Sequence, residues 1–260
     1  MEETTKVAIE AAEKAGKLLT QLAHQKQRER IKELEFPMDI VTDSDIQSEK
    51  LITNIIHRHF PTHGILSEET NNHVDPKKHK HLWIVDPIDG TIGFASGLPF
   101  YSVSIAYCVD SELVSSALYL ASTKEVLWAE TGKGAYIGTK QIRVKDLPWK
   151  KSVIALDPGH MWRKKALTII APSLSSGIRF LQITSGEAGN LGLVARGNIQ
   201  GLVCVKPDVW DYAAGIHLVK EAGGIVSDLK GKPYKMFSMK GHVVAAPSTH
   251  KEIIRYTKLF

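Results

Sequence analysis

The sequence places two carboxylates beside a tight turn, an arrangement that suits a divalent cation. Asp86 and Asp89 enclose a Pro-Ile pair directly after the short apolar segment 82–85, and Gly90 follows them. A strand over 82–85 would deliver Asp86 to its carboxyl end, and the turn would return Asp89 to the same side. Carboxylates this close repel each other unless a cation neutralises them, and hard cations such as Mg²⁺ take oxygen ligands. Backbone amides after the glycine can face an anion.

Three further acidic segments stand where chain turns are expected: residues 39–45 (Asp-Ile-Val-Thr-Asp-Ser-Asp), 67–70 (Ser-Glu-Glu-Thr) and 209–215 (Val-Trp-Asp-Tyr-Ala-Ala-Gly). Taken alone, each has an ordinary structural explanation. The aspartates of the first segment can cap the helix that follows, Glu68 and Glu69 can be solvated, and Asp211 can cap a helix. Their occurrence together with the pair around Pro87 favours one shared cation site.

Length and composition describe an ordinary globular protein. Of the 260 residues, 43% are hydrophobic and 23% are charged, which excludes a disordered, collagen-like or coiled-coil chain and allows one domain or two fused halves. The chain has no apolar run long enough for a bilayer, and its first ten residues lack a secretory pattern, so we expect no membrane anchor. Two cysteines cannot form a disulfide framework, and a cytoplasmic location follows as the default expectation.

The net charge of +5 is compatible with nucleic acid, a membrane surface or an anionic substrate as partner. The basic residues are scattered over both halves of the chain. The densest group, Lys77, Lys78 and Lys80, has no interleaved aromatic residues. The pattern therefore favours solvated lysines over a nucleic-acid surface.

Hydrophobic periodicity predicts two halves of different architecture. The first half contains amphipathic helices over 5–23 and 46–60 and then strands at 82–85, 100–107, 113–120 and 125–130, which form a mostly antiparallel sheet. After Pro148 the elements alternate, with strands at 152–156, 179–183, 201–205 and 225–228 and helices at 162–170, 187–196 and 211–222. We expect an N-terminal half over 1–148 and a C-terminal α/β half over 149–260 that share one compact body.

The order and spacing of these segments resemble the inositol monophosphatase family, within the wider group of lithium-sensitive, magnesium-dependent phosphatases. The resemblance rests on residues 83–91 (Trp-Ile-Val-Asp-Pro-Ile-Asp-Gly-Thr) and 210–215 (Trp-Asp-Tyr-Ala-Ala-Gly), with support from 39–45, 67–69 and 221–224. It covers essentially the whole chain, and the Asp-Pro-Ile-Asp-Gly-Thr element with a distant Trp-Asp pair is far more specific than a lone glycine motif. It implies a layered αβαβα sandwich with the metal site between the halves, and a homodimer.

The resemblance also implies a role for each acidic residue. A first Mg²⁺ would be held by Glu68, Asp86 and the backbone carbonyl of Ile88, a second by Asp86, Asp89 and Asp211, and a third, weaker ion by Glu68 through water, so two or three ions are expected. Asp45 and Thr91 would be catalytic, orienting and deprotonating the attacking water. The substrate-binding residues would be Asp89, Gly90, Thr91, Ala188 and Asp211, with the amides of Gly90 and Thr91 receiving the phosphate.

The implied function is a Mg²⁺-dependent phosphomonoesterase for a small phosphorylated metabolite, inositol monophosphate or a similar sugar or polyol phosphate. Metal ions neutralise phosphoryl oxygens, lower the pKa of a bound water and stabilise the leaving alkoxide. The sequence offers no convincing motif for a serine–histidine pair or a cysteine nucleophile, and its eleven histidines are dispersed, with none in an HExxH pattern. We therefore expect direct hydrolysis by a metal-activated water without a phosphoenzyme.

Three departures from the family pattern concern the leaving group of the substrate. Gly93 stands where an asparagine is usual, Glu187 where the family has serine or threonine, and Cys204 about where inositol-cleaving members carry an acid. The first can be a harmless loop change, and Glu187 can be an early helix residue that favours the helix dipole. Lys206 is compatible with a more anionic substrate or with simple solvation.

Several alternatives therefore stay open. The substrate can be a 3′-phosphoadenosine phosphate, fructose 1,6-bisphosphate, NADP or histidinol phosphate. The chain can also be a member that binds RNA or a transcription complex and has catalysis as a secondary role, for which the positive charge is weak support.

Overall fold

The computed structural model describes residues 1–25, 27–33, 36–159, 164, 166–175, 177–184, 186–205, 207–238 and 240–258, and at 33, 36–39, 169 and 173 it describes the backbone alone. The helices are α1 (Glu3–Leu22), α2 (Asp43–His59), α3 (Thr91–Ala95), a π-helical segment (Ala166–Ile170), α4 (Ala171–Ser175), α5 (Glu187–Ala195), α6 (Val209–Glu221) and α7 (Pro247–Thr257), with single 3₁₀ turns at Pro76–Lys78 and Trp149–Lys151. The strands are β1 (Glu29–Glu33), β2 (Phe36–Thr42), β3 (Gly64–Ser67), β4 (His81–Asp89), β5 (Ser102–Val109), β6 (Glu112–Leu120), β7 (Glu125–Glu130), β8 (Gly134–Ile137), β9 (Lys140–Ile142), β10 (Val153–Asp157), β11 (Phe180–Gln182), β12 (Gly201–Cys204), β13 (Ile225–Asp228) and β14 (His242–Ala245).

The first two layers are two N-terminal helices and a seven-stranded sheet. The sheet has the order β3-β4-β5-β6-β7-β8-β9 and is antiparallel except for the pair β3–β4. The apolar residues of α1 recur at helical spacing, so they form one stripe that faces the sheet. That stripe is buried together with residues of α2 and the sheet: Val7, Ala8, Ala11, Ala12, Ala15, Leu19, Ile52, Ile56, Val103 and Ile105.

The remaining layers are a helix pair, a five-stranded sheet and an outer helical layer. The second sheet has the order β11-β10-β12-β14-β13, with β10 parallel to its neighbours and β14 antiparallel to its own. Helices α5 and α6 lie between the two sheets, where Leu118 of the first sheet shares a core with Leu202 and Val244 of the second. Residues of α7 and the π-helical segment cover the opposite face of the second sheet. These layers confirm the predicted αβαβα sandwich.

The two sheets come from separate parts of the chain, residues 64–142 and 153–245, while α6 packs against strands of both. The division at residues 148 and 149 stays a prediction. Within the ranges that the structure describes, no helix combines the length and the apolar character needed to cross a bilayer.

Some elements differ from the sequence prediction. The prediction that the helix over 162–170 ends at Ala171–Pro172 is wrong, because helical backbone continues from 166 to 175. Pro172 lies where the π-helical backbone changes to α-helical backbone. The predicted start of that helix lies outside the described residues. Helix α6 begins at Val209 rather than Asp211, and the hairpin β1–β2, strand β14 and helix α7 have no counterpart in the prediction.

Candidate active site

A β-bulge in β4 turns Asp86 and Asp89 to the same side of the first sheet. Asp86 pairs with Ser104 and Asp89 with Ser102, so the two residues between the aspartates lie opposite one residue of β5. Side chains three positions apart on a regular strand would point to opposite faces, and the extra residue cancels that alternation. The Ile88 amide donates to Asp86 Oδ1 (3.0 Å), which fixes the carboxylate within the bulge.

Helix α6 brings the third aspartate to this bulge. Asp211 lies in the first turn of the helix, where its Oδ2 accepts a hydrogen bond from the amide of Asp208 (3.2 Å). The Ser104 hydroxyl donates to the Trp210 carbonyl (3.0 Å) and so ties the start of the helix to β5. As a result, carboxylate oxygens of Asp86, Asp89 and Asp211 all lie within 4.8 Å of one another. We call these three residues and Glu68 the acid cluster.

Glu68 joins the cluster from the end of β3, and a lysine faces it. The Glu68 amide donates to the Val85 carbonyl (3.3 Å), which places Glu68 beside the end of β4. Lys32, on β1 of the hairpin, donates its ammonium to Glu68 Oε1 (2.6 Å) and to Glu69 Oε1 (2.8 Å). Burial opposes the charge of Lys32, but the two carboxylates outweigh it and raise the pKa of the ammonium. Sequence reasoning missed this lysine, because no local motif marks it.

The carboxyl groups of the acid cluster are buried close together and repel one another when ionised. Burial, followed by repulsion from Glu68, Asp89 and Asp211, raises the pKa of Asp86 well above its ordinary value. Burial and then the charges of Glu187 and Glu68 do the same to the pKa of Asp211. Burial raises the pKa of Glu68 despite the opposing charge of Lys32. An all-oxygen donor set whose charges repel each other fits Mg²⁺, which would relieve the repulsion.

Asp89 is held by donors on two sides. Its carboxylate accepts the hydroxyl of Ser102 (2.6 Å) and the amides of Glu187 (2.8 Å) and Gly189 (3.0 Å) at the start of α5. Burial still outweighs these hydrogen bonds and raises the pKa of Asp89 to about 7. Gly186 has φ 88°, and a Cβ there would lie 2.6 Å from Asp89 Oδ2, so only glycine lets the chain pass this closely.

Asp45 serves both helix α2 and the site. Its Oδ2 accepts the amide (2.7 Å) and the hydroxyl (2.5 Å) of Thr42, which completes a capping box at the start of α2. Its Oδ1 accepts the Thr91 hydroxyl at 3.1 Å. Burial outweighs these hydrogen bonds and raises the pKa of Asp45. The same side chain therefore caps α2 and contacts Thr91, and its catalytic role stays a prediction.

The remaining predicted residues lie around the bulge. The Ile88 carbonyl is 3.0 Å from the Thr91 hydroxyl, and Gly90 has φ 90°, a left-handed conformation that lets α3 begin directly after the acid pair. Ala188 lies two positions beyond Gly186, but its side chain is fully buried in the core between the sheets. Only its backbone is near Asp89.

A cleft of about 560 Å³ opens over the acid cluster. Its floor carries the four acids, and further carboxylates stand nearby at Asp157, Glu187 and Asp208. Apolar side chains also line it: Ile40, Ile92, Leu167 and Ile183. The cleft can therefore take a small molecule whose phosphoryl group meets cation-binding oxygens while its other end contacts an apolar rim.

The residues that depart from the family pattern lie in different parts of the structure, and two of them line the cleft. Gly93 is buried in α3, where its carbonyl accepts the amide of Leu98 (2.9 Å). Glu187 and Cys204 both line the cleft and touch each other, with Cys204 Sγ 3.1 Å from Glu187 Oε2. Lys206 lies outside the described residues.

Known proteins match the chain over almost its whole length. The family model described as the inositol monophosphatase family matches residues 1–258. A fructose-1,6-bisphosphatase/inositol-1-monophosphatase of Thermotoga maritima is 32% identical over 218 residues, covering 84% of this chain and 82% of that protein. The Nus factor SuhB of Pasteurella multocida is 32% identical over 254 residues, covering 95% and 93%. The crystal structure of an extragenic suppressor protein, SuhB, from Bartonella henselae has a TM-score of 0.91 at 29% identity and 99% coverage of both chains.

Proposed function

Because the chain belongs to the inositol monophosphatase family and is therefore a phosphoric monoester hydrolase, we propose that it hydrolyses a small sugar or polyol phosphate, inositol monophosphate first, with Mg²⁺ as cofactor. The observation that carries the proposal is the convergence of the acid cluster. Asp86, Asp89 and Asp211 come from a strand bulge and a distant helix, yet their oxygens lie within 4.8 Å of one another. A fold without a cation to bind gains nothing from burying such repulsion.

We propose that two or three ions are held by the residues that the family resemblance indicates. Asp86, Asp89 and Asp211 would hold one ion, and Glu68 with Asp86 and the Ile88 carbonyl another. Bound Mg²⁺ supplies charge neutralisation at the phosphoryl group and a water of lowered pKa. The protein then needs to position the substrate and the water, because phosphoryl transfer depends mainly on positioning and charge.

Asp45 and Thr91 would manage the proton of the attacking water. The Thr91 hydroxyl donates to Asp45 Oδ1, so its oxygen lone pairs remain available to accept from a water in the cleft. A proton leaving that water can pass to Thr91 Oγ1 while the Thr91 proton passes to Asp45 Oδ1. Burial raises the pKa of Asp45, which makes its carboxylate a better acceptor for that proton. Direct attack by water requires no phosphorylated side chain.

The start of α5 and the bulge would receive the substrate. The amides of Gly90 and Thr91 follow the acid pair directly and would bind phosphoryl oxygens. Asp89 and Asp211 would contact the sugar end, and the backbone beside Ala188 would contribute through its contact with Asp89. Family membership also motivates the proposals that the enzyme is a cytoplasmic homodimer and that Li⁺ inhibits it.

The decisive experiment is phosphate release from a panel of esters, with Mg²⁺ and with chelator. The panel contains inositol monophosphate, fructose 1,6-bisphosphate, adenosine 3′,5′-bisphosphate, NADP and histidinol phosphate. We expect Mg²⁺-dependent release, fastest from inositol monophosphate. Asp89→Asn should lower kcat by on the order of 10²–10³, as expected for loss of one charge-stabilising group.

Asp110→Asn is the matched control for that variant. Asp110 lies in the β5–β6 hairpin turn with φ 50°, a conformation that asparagine tolerates, so wild-type rates are expected. Release that is equally fast in chelator, or a covalent phosphoryl group trapped on the protein during turnover, would contradict the mechanism.

One alternative has a specific observation behind it. The likeness to a protein named Nus factor SuhB, together with the net charge of +5, supports RNA binding as a second activity. RNA binding that weakens steeply with salt would support it. Tight RNA binding with no Mg²⁺-dependent turnover of any ester would replace the phosphatase proposal.

A further inference from the structure

A second group of metal-type donors lies beside the acid cluster and differs from it in chemistry. Glu187 is the first residue of α5, Cys204 the last of β12 and His242 the first of β14. Cys204 and His242 are direct partners in the antiparallel pair β12–β14, so their side chains point to the same face of the sheet. The neighbouring pair Leu202 and Val244 faces the layer that contains α5, and the strand alternation therefore directs Cys204 and His242 toward Glu187.

The three side chains are close together and almost fully buried. Ligand atoms of Glu187, Cys204 and His242 all lie within 4.8 Å of one another, about twice a zinc–ligand bond of roughly 2.0–2.3 Å. Glu187 Oε1 is 2.5 Å from His242 Nε2, and Glu187 Oε2 is 3.1 Å from Cys204 Sγ. Their exposures are 3%, 1% and 0% for Glu187, Cys204 and His242. One ion can touch all three donors.

The histidine is the observation that points to a ligand. Glu187 Oε1 and His242 Nε2 face each other as an ion pair without hydrogen-bond geometry, and among the described residues His242 Nδ1 has no hydrogen-bond partner. Leaving a buried polar atom without a hydrogen bond is unfavourable, so a native protein rarely does so without a ligand or water at that position. The ring of Tyr212 packs edge-on against His242 at 5.4 Å and supplies no acceptor for these nitrogens.

We propose that Glu187, Cys204 and His242 form a binding site for one transition-metal ion, with Zn²⁺ as the best fit, separate from the Mg²⁺ site. A thiolate, an imidazole and a carboxylate are the donors that Zn²⁺ accepts, whereas Mg²⁺ takes oxygen alone. Binding releases the thiol proton of Cys204 to solvent as the Sγ–metal bond forms. Glu187 and Cys204 also line the cleft, so an ion held there would lie beside the proposed substrate position.

The site shares a wall with the acid cluster. The amide of Glu187 donates to Asp89 Oδ1, so the residue that binds the transition metal through its side chain also holds a proposed Mg²⁺ ligand through its backbone. The two departures from the family pattern, Glu187 and Cys204, are then one coordinated change rather than two unrelated ones.

Co²⁺ distinguishes this site from the acid cluster, because only a thiolate ligand gives a sulfur-to-cobalt charge-transfer band. The full chain is first saturated with Mg²⁺ to occupy oxygen sites and is then titrated with Co²⁺. We expect a charge-transfer band that saturates at one Co²⁺ per chain and is abolished by Zn²⁺. Since the chain has only two cysteines, Cys108→Ser should keep the band, which assigns it to Cys204 without altering the site.

Two variants test the other ligands and the outcome. Cys204→Ser should remove the band, and His242→Gln should weaken Zn²⁺ binding by more than the roughly 10–100-fold that loss of an outer-shell partner causes. A wild-type protein without the band, or a band lost in a Cys108→Ser protein that keeps the wild-type circular dichroism spectrum, overturns the proposal. The wild-type result holds even if a cysteine variant fails to fold. None of these readouts depends on phosphatase activity, so failure of the function proposed above would be seen separately.

Discussion

The Thr91 hydroxyl connects the acid cluster to helix α2, since Oγ1 donates to Asp45 and lies 3.0 Å from the Ile88 carbonyl. Replacing it by the isosteric valine removes the proton relay but keeps the shape of the side chain. We expect Thr91→Val to lower kcat by about 10²–10⁴, the usual contribution of a positioned acid–base group, with little change in Mg²⁺ affinity. Steady-state kinetics at saturating Mg²⁺ measure this.

Two variants bracket that prediction. Thr91→Ser keeps the hydroxyl and should restore most of the rate. Thr53→Val removes a hydroxyl that bonds only backbone carbonyls of α2, and its kinetics should match wild type. Equal rates for Thr91→Val and wild type would remove Thr91 from the mechanism.

For single residues, the sequence predicts the carboxylates of the acid cluster but not the residues that contact them. Asp86, Asp89 and Asp211 were identifiable because a metal site requires oxygen donors and the family order is specific. Lys32 and Ser102 were not, since their types have many uses. Strand pairing brings Ser102 to Asp89, and Lys32 reaches Glu68 from a separate hairpin. His242 is one of eleven dispersed histidines, and Cys204 and Glu187 are 38 and 55 positions away. Sheet register brings Cys204 to His242, and the packing of α5 on the sheet brings Glu187.

Among the elements, the hairpin β1–β2 carries a positive charge to the acid cluster. The Lys32 ammonium donates to Glu68 and Glu69, so it occupies carboxylate oxygens that a metal ion would use. Lys32→Gln removes a nearby cation, and we expect the apparent Mg²⁺ affinity to rise by roughly tenfold, a modest share of the attraction between such close charges. Isothermal titration with Mg²⁺ measures the change.

Lys17 is a suitable comparison, because its ammonium pairs with Glu13 on the exposed face of α1. Lys17→Gln should leave Mg²⁺ affinity unchanged. If Lys32→Gln weakens Mg²⁺ binding, Lys32 instead holds Glu68 in the position that binds Mg²⁺. The prediction that Lys32 competes with the metal would then be wrong.

The contact between α5 and α6 sets the geometry of the site from behind. Gly215 of α6 faces Leu191 of α5 so closely that a Cβ at residue 215 would clash with the leucine side chain. Gly215→Ala should therefore destabilise the fold by about 1–3 kcal/mol and lower Tm by several degrees. Because α6 carries Asp211 and α5 donates amides to Asp89, we expect Mg²⁺ affinity to fall as well. A variant with wild-type Tm would show that the helices can separate without strain.

For the molecule as a whole, the layer order was predictable and one interior strand of the second sheet was not. Alternating strands and amphipathic helices predict which faces are buried and divide the chain into two halves, whereas the order of the five layers is what the family resemblance implies. Strand β14 escaped prediction because it is only four residues long and fully buried, without alternation. Strand β14 lies between β12 and β13 and carries His242. Without this strand, the sequence could not place His242 beside Cys204.

The metal-free acid cluster links the stability of the whole molecule to pH. The pKa of Asp89 is about 7 when folded, against about 3.9 for an ordinary aspartate, and the pKa values of Asp86 and Asp211 are also raised. Between the ordinary pKa and the raised pKa of such a group, the folded chain binds more protons than the unfolded chain. The free energy of unfolding therefore falls as pH rises through that range. His217 acts in the opposite direction, because burial lowers its pKa to about 4 and its contribution increases as pH rises from 4 to 6.5.

The difference in Tm between Mg²⁺-saturated and chelator-treated protein separates these two effects, since His217 contributes equally to both samples. Mg²⁺ holds the cluster ionised and removes its repulsion, so we expect the difference to widen as pH rises from about 4 to about 7 and then to level off. Calorimetry across that range measures it. Asp211→Asn removes one of the repelling charges, so its metal-free Tm should fall less with pH and its response to Mg²⁺ should be smaller. A difference in Tm that stays constant from pH 4 to pH 7 would mean that the pKa values of these acids are not raised, and would contradict the prediction.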